Sequence, residues 1–162
     1  MQYFKQLISH NTIQKVFDLY HNSTNRVEID TKLVDRHAPS AIGHFMLSKF
    51  TNEEFDFLWE EVKHELVGYD LVYARVLKYN RGCFIQPHKD SYNQGQQESD
   101  YSCIIQLNDP STYRGGLPSI DTRLFYLEQG DALVYSYDET HGVEPVQKGI
   151  RYVVNLRLKK VK

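Results

Sequence analysis

Three side chains in this sequence have the types and spacing needed to share one metal ion: His88, Asp90 and His141. In an extended segment, residues two apart point to the same side, so His88 and Asp90 share a face while Lys89 points away. His141 follows beyond a strand predicted to end near Ser136. Two imidazoles and one carboxylate on one ion form a facial triad. Such a triad leaves coordination positions open and suits a non-haem Fe(II) that must also bind a cosubstrate and O2. Zinc accepts the same three ligands, as in a hydrolase. With seven histidines in the chain, an HxD also arises by chance. Taken alone, the three residues leave all these readings open.

The elements that must carry them are predicted from periodicity. Residues 12–20 place Ile13, Val16, Phe17 and Tyr20 at helical spacing, and residues 25–34 alternate imperfectly as a strand. Residues 37–43, bracketed by Pro39 and Gly43, read as a loop. A longer helix is expected over residues 51–67. Thr51 and Glu54 form a capping box, Phe55, Leu58, Trp59, Val62 and Leu66 make one apolar stripe, and Gly68 ends it. The stripe is expected to pack on a sheet. Strands are then expected at residues 71–79, 84–88, 101–107, 124–127, 132–135, 142–146 and 150–158, separated by Gly, Asn, Asp and Pro turns. Helices followed by many short strands predict a mainly β sandwich or barrel with flanking helices. The polar stretch 91–100 follows the candidate metal site and reads as a loop placed to act as a lid.

Strand parity sharpens this expectation. If Arg151 points into the barrel, so do Val153, Asn155 and Arg157, while Tyr152, Val154, Leu156 and Leu158 face the helices. Asn155 and Arg157 are poor core residues unless they line a wet pocket. Together with Tyr92 they are the candidate substrate-pocket residues, with Arg157 expected to favour a negatively charged or carbonyl-bearing substrate. The competing reading is that Arg157 snorkels to solvent at a strand end.

Bulk properties narrow the function classes. The chain of 162 residues suits one domain, 1–162, with residues 1–70 mostly helical support and 71–158 the core. Its net charge of −2 argues against a nucleic-acid partner, whose phosphates call for a basic surplus. No stretch reaches eighteen apolar residues, so no membrane span is expected. The N-terminus lacks a signal-peptide pattern and the two cysteines, Cys83 and Cys103, form no CxxC pair. Reduced structural cysteines and a cytoplasmic location are the expectation.

The residues around the triad resemble the Fe(II)/2-oxoglutarate-dependent oxygenases, in particular their prolyl 4-hydroxylase-like branch. The resemblance covers about residues 72–158. Its pieces come in order: Tyr79, His88-Lys89-Asp90, Cys103 to Asn108, Gly115-Gly116, Gly130 to Tyr135, His141 to Val146, and Gly149-Ile150-Arg151-Tyr152. It implies a double-stranded β-helix (jelly-roll, cupin-like) core. It also implies Fe(II) on His88, Asp90 and His141, with 2-oxoglutarate and O2 as cosubstrates and ascorbate as an accessory reductant. Arg151, ten positions after the second histidine, is implied to bind the far carboxylate of 2-oxoglutarate, assisted by Tyr79. Arginine suits that duty because its planar fork meets a carboxylate through two parallel bonds. Gln106, the third candidate cofactor-binding residue, stands where proline-directed relatives often have a second tyrosine that helps bind the same carboxylate, and it can still donate a hydrogen bond there; Leu117-Pro118 stands where many relatives have an acidic residue.

The implied activity is C–H hydroxylation, most naturally of a prolyl residue in a peptide or protein. Three alternatives stay beside it: hydroxylation of a free amino acid or other small molecule, a metal-dependent cupin-like hydrolase or isomerase, and a non-catalytic β-barrel interaction module.

Overall fold

The computed structural model describes residues 1–24, 26–34, 42–90 and 99–161. Most of the stretch 91–100, including Tyr92, and most of 37–43 lie outside the described residues. Strand β1 (Gln2–Phe4) precedes helix α1 (His10–Asn22), β2 (Val27–Val34) and β3 (Ile42–Lys49). A 3-10 turn (Glu53–Phe55) leads into α2 (Asp56–Val62). Strands β4 (Tyr69–Tyr79), β5 (Phe84–His88), β6 (Tyr101–Gln106), β7 (Arg114–Gly115), β8 (Pro118–Ile120) and β9 (Arg123–Leu124) follow. The chain closes with β10 (Ala132–Ser136), β11 (His141–Val143), β12 (Val146–Lys148) and β13 (Arg151–Lys160).

Eleven strands form one antiparallel sheet in the order β1-β10-β6-β13-β4-β3-β5-β11-β8-β9, with β2 beside β3, while β12 and β7 pair separately. The sheet curls on itself. One cavity is walled by Ser102, Ile104 and Tyr135 from one end of that order and by Pro118, Ile120 and His141 from the other. This half-barrel resembles the double-stranded β-helix expected from the sequence.

The convex face carries the main core. Val154, Leu156 and Leu158 of β13 pack with Ala74, Val76, Cys103 and Ile105 against Ile13, Val16, Phe55, Leu58, Val62 and Leu66. This is the face that parity assigns to the helices, and truncating one such buried Leu to Ala would cost about 2–5 kcal/mol. Helix α1 starts where the Ser9 hydroxyl accepts from the Thr12 N–H at 3.2 Å. The Thr51–Glu54 capping box is present in both directions: the Thr51 N–H donates to Glu54 Oε1 at 2.9 Å, and the Glu54 N–H to Thr51 Oγ1 at 3.2 Å.

Several boundaries differ from expectation for identifiable reasons. The helix expected over 51–67 is regular only in α2, because i→i+3 bonds tighten both ends: the Phe55 N–H donates to the Asn52 carbonyl and the Glu65 N–H to the Val62 carbonyl. Leu66 nevertheless keeps its place in the buried stripe. The strand expected at 142–146 is two strands, β11 and β12, since Pro145 has no N–H to continue the ladder. Of the strand expected at 124–127, Leu124 pairs with Ser119 and the Phe125 N–H still donates to the Pro118 carbonyl at 2.9 Å, but residues 125–127 form no strand. The first 70 residues are more than helical support, because β1, β2 and β3 join the main sheet. Strand β3 is the important addition: its Phe45 and Leu47 are buried beside Leu77, Tyr79 and Val153 on the concave side.

Candidate active site

Strands β5 and β11 pair antiparallel with His88 opposite His141, which sets their ring centroids 4.5 Å apart. This pairing needs a glycine next to His141. A Cβ on Gly142 would stand 2.8 Å from the Ile85 carbonyl oxygen and 2.9 Å from the Pro87 nitrogen, closer than any side chain tolerates against backbone. Asp90 lies just past the end of β5, fixed by its N–H, which donates to the Tyr137 carbonyl at 3.0 Å.

The three candidate ligand atoms converge to within 4.8 Å of one another. Asp90 Oδ1 is 3.4 Å from His88 Nε2 and 3.3 Å from His141 Nε2. Each imidazole is turned by a backbone carbonyl: Nδ1 of His88 lies 2.9 Å from the Gln86 oxygen, and Nδ1 of His141 lies 2.9 Å from the Glu139 oxygen. A carbonyl can only accept, so Nδ1 carries the proton and Nε2 offers its lone pair to the cluster.

The second oxygen of Asp90 is also held. Arg157 Nη1 donates to Asp90 Oδ2 at 3.0 Å and to Ser102 Oγ at 2.7 Å, and its Nε donates to Ser99 Oγ at 3.0 Å. Burial by itself would raise the Asp90 carboxyl. The close approach of His141 and His88, and then the charge of Arg157, outweigh it and hold the group well below the usual carboxylate range. Arg157 is 7% exposed, so it does not snorkel to solvent. Its guanidinium is committed to Asp90 and two serines, which corrects the expectation that it reads a substrate charge directly.

A second cation lies deeper in the same cavity. Arg151, opposite Tyr79 in the β13–β4 ladder, is 1% exposed, and among the described residues neither Nη1 nor Nη2 makes a hydrogen bond of standard geometry, although the Tyr113 hydroxyl is close enough to feel the guanidinium. Its Nε donates to Gln106 Oε1 at 3.0 Å. Gln106 in turn donates through Nε2 to the Asn108 carbonyl at 2.9 Å and to Asn108 Oδ1 at 3.2 Å. Gln106 therefore acts as an acceptor that aims Arg151, rather than as a free donor. The Arg151 Cζ lies 5.3 Å from the Tyr79 ring centroid, and a Cβ on Gly116 would come within 3.4 Å of Arg151 Cδ. Tyr79 is buried; desolvation raises its hydroxyl above the ordinary tyrosine value, partly offset by Arg151.

A buried guanidinium with two unpaired nitrogens is costly unless an anion meets it. Its planar fork fits a carboxylate. The cavity it shares with the triad has a volume of about 120 Å³. A single water needs only about 10–15 Å³ of such space, so the cavity has room for a small ligand and is no packing defect. The donor set and the orphaned fork thus fit a divalent metal ion with a carboxylate cosubstrate beside it.

Asn155 also faces this cavity, where its Oδ1 accepts from Arg75 Nε at 2.9 Å. Tyr92 lies outside the described residues. Sequence reasoning missed Ser99, Ser102, Asn108 and Tyr135, whose ring centroid is 4.5 Å from that of His141. It also missed Arg75, although the alternation Arg75, Leu77, Tyr79 on β4 carries a parity signal of the same kind as Arg157.

The sequence model of the 2OG-Fe(II) oxygenase superfamily matches residues 74–158, just over half of the chain. The chain belongs to that superfamily. A PKHD-type hydroxylase of Thermosynechococcus vestitus is 36% identical over 100 residues, covering 57% of this chain and 43% of the relative. The chain spans less than half the length of the curated relatives it matches. Among solved structures, a 2OG-Fe(II) oxygenase family oxidoreductase from Burkholderia pseudomallei superposes with a TM-score of 0.70 at 14% identity, over 96% of this chain and 82% of that one. A prolyl hydroxylase from Trichoplax adhaerens, solved with a hypoxia-inducible-factor peptide fragment, gives 0.69 at 15% identity, over 98% and 83%. At such identities the oxygenase likeness of these two structures concerns the fold.

Proposed function

We propose that this superfamily member is an Fe(II)- and 2-oxoglutarate-dependent oxygenase that hydroxylates a C–H bond. The observation that carries the reading is the pairing, in one cavity, of the convergent His88, Asp90 and His141 with an Arg151 fork that is buried and unpaired. A zinc hydrolase needs the first and has no use for the second; a non-catalytic module needs neither. When bound, Fe(II), 2-oxoglutarate and O2 together supply the oxidation: the oxo acid leaves as succinate and CO2, and the substrate C–H becomes C–OH.

The protein's own residues do the rest. His88 and His141 present Nε2 because their Nδ1 protons are engaged by backbone carbonyls. Asp90 would ligate through Oδ1 while Arg157 holds Oδ2. Arg151, aimed by Gln106, would take the far carboxylate of 2-oxoglutarate, assisted by Tyr79 in the same cavity wall. Ile104, Ile120, Leu77 and Val153 give the cavity apolar walls that limit stray water.

Relatives named as prolyl hydroxylases suggest a prolyl substrate, in a peptide or as a smaller proline-containing molecule. A cytoplasmic location belongs to the same proposal. The test is anaerobic titration with Fe(II) and 2-oxoglutarate, followed by succinate measurement on admitting O2. A weak visible absorption band is expected only with both added, and it should vanish in H141A and D90A. Turnover that survives loss of His141 would overturn the ligand set.

A further inference from the structure

Among the described residues three arginines line this cavity, and two are accounted for: Arg157 holds Asp90, and Arg151 faces the proposed cosubstrate end. The third is Arg75. It sits on β4 opposite Asn155, two residues from Leu77 and four from Tyr79, with its side chain directed to the concave face. Its Nε donates to Asn155 Oδ1 at 2.9 Å, and that is its one hydrogen bond among the described residues. It has no carboxylate partner there either. The groups that bear on it electrostatically are Arg157, which repels it, and the rings of Tyr73, Tyr79 and Tyr135. Its guanidinium carbon lies 5.6 Å from the Tyr73 ring centroid, a weak contact with a ring that is itself partly exposed. Among the described residues this partly exposed guanidinium lies beside another cation and meets no anion, so its terminal nitrogens are open to a ligand from the cavity.

The charge balance of the filled site points the same way. A 2-oxoglutarate dianion cancels an Fe(II) dication, and Asp90 cancels Arg157. Arg151 and Arg75 remain as surplus positive charge in a cavity whose wall, among the described residues, holds no other carboxylate. The cosubstrate cannot serve both. Arg75 lies four residues from the Tyr79–Arg151 rung, roughly 13 Å along the strand. It therefore stands at the level of Asn155, toward the Arg157–Asp90 end, where a second molecule would be presented to the metal.

We infer that Arg75, oriented by Asn155, binds a carboxylate of the substrate, so that the molecule hydroxylated is a small acid or a chain ending in a free carboxylate. The inference rests on the oxygenase reading above. Asn155 locks Arg75 through Nε, leaving the two terminal nitrogens as the fork that receives the carboxylate. A prolyl residue in the interior of a peptide offers no such group, whereas free proline, another free amino acid or a C-terminal proline does.

The test uses matched pairs differing only in that charge: free L-amino acids, their N-acetyl derivatives and dipeptides ending in proline, each against its carboxamide. Binding is measured anaerobically by calorimetry to the protein loaded with Fe(II) and 2-oxoglutarate, and hydroxylation by mass spectrometry after O2 is admitted. At least one acid should bind about tenfold or more tightly than its amide. R75Q should abolish that preference and R75K restore part of it. Free acids against C-terminal dipeptides separate the two sources of the carboxylate. Acid and amide binding equally, no acid in the panel binding, or a preference that survives in R75Q each overturn the inference. So does R75Q weakening 2-oxoglutarate binding together with the acid, which would assign Arg75 to the cosubstrate. If the loaded wild-type protein never forms its absorption band, the oxygenase reading itself has failed; a band without discrimination between acid and amide removes only the role of Arg75.

Discussion

Arg157 Nη1 and Asp90 Oδ2 lie 3.0 Å apart, on the carboxylate oxygen that faces away from the histidines. One oxygen of Asp90 is thereby free to ligate while the other is pinned through a side chain that is itself buried and held by Ser99 and Ser102. Replacing Arg157 with Met should leave the carboxylate free to rotate and raise its affinity for protons. Outer partners of this kind typically account for about 10–100-fold in metal affinity. Fe(II) binding against a competing chelator should weaken by that factor in R157M, with partial rescue in R157K and near-native circular dichroism. Unchanged iron affinity would show that the arginine serves packing alone.

If Arg151 binds the cosubstrate as proposed, the Gln106–Arg151 contact should separate cosubstrate from metal binding. Q106L removes the acceptor for Arg151 Nε and leaves the guanidinium free to swing. A hydrogen bond to a charged group is worth about 1.5–3 kcal/mol. The Kd for 2-oxoglutarate should rise by roughly one to two orders of magnitude, with Fe(II) affinity retained. Isothermal titration of both ligands distinguishes this from a general loss of structure, in which both would fall together.

Gly142 is the position where a single methyl group should pull the candidate metal ligands apart. The clash of a Cβ with the Ile85 oxygen and the Pro87 nitrogen is with backbone, so relief requires β11 to move away from β5. That movement separates His141 from His88. G142A should destabilise the fold by about 1–3 kcal/mol and lose iron binding even at temperatures where it remains folded. A G142A protein that binds Fe(II) normally would mean that the strand pair adapts.

The cysteines give a prediction in alkali. Cys103 is fully buried, and desolvation pushes its thiol far up; burial also raises Cys83, partly offset by a hydrogen bond from the backbone at Asn80. Their folded pKa values therefore exceed the unfolded value of about 8.5. The unfolded chain sheds these protons first, so the stabilisation is fully present below that value and is lost progressively as pH rises above it. Denaturant midpoints should fall between about pH 8 and 10, and C103A should flatten this decline. In the native protein at pH 8, neither thiol should react with a bulky disulfide reagent on the timescale of minutes.

The site was legible in the sequence where strand parity and residue type coincide. His88 and Asp90 at a spacing of two, and Arg151, Asn155 and Arg157 on alternate positions of one strand, all reach the concave face, and Val154, Leu156 and Leu158 reach the helices. What the sequence concealed were partnerships made across strands. Nothing local shows that Arg157 would meet Asp90, or that Asn155 would turn to Arg75 on the neighbouring strand instead of to a ligand. Strand β3 was hidden for a related reason. Its alternation of Phe45 and Leu47 is short, and its place between β4 and β5 is set by long-range pairing rather than by a turn.

Strand β13 carries Arg151 near one end and Arg157 six positions on, both facing the cavity. It is in effect a ruler, graduated only in steps of two residues, because intermediate positions face the helices. Each step is roughly 6.6 Å, far more than one methylene adds to a dicarboxylic acid. No relocation of the arginine along this strand could therefore retune the site for an oxo acid one carbon longer or shorter. On the proposed function, selectivity for cosubstrate length would come from finer adjustment at a fixed graduation, such as the angle at which Gln106 holds the Arg151 side chain.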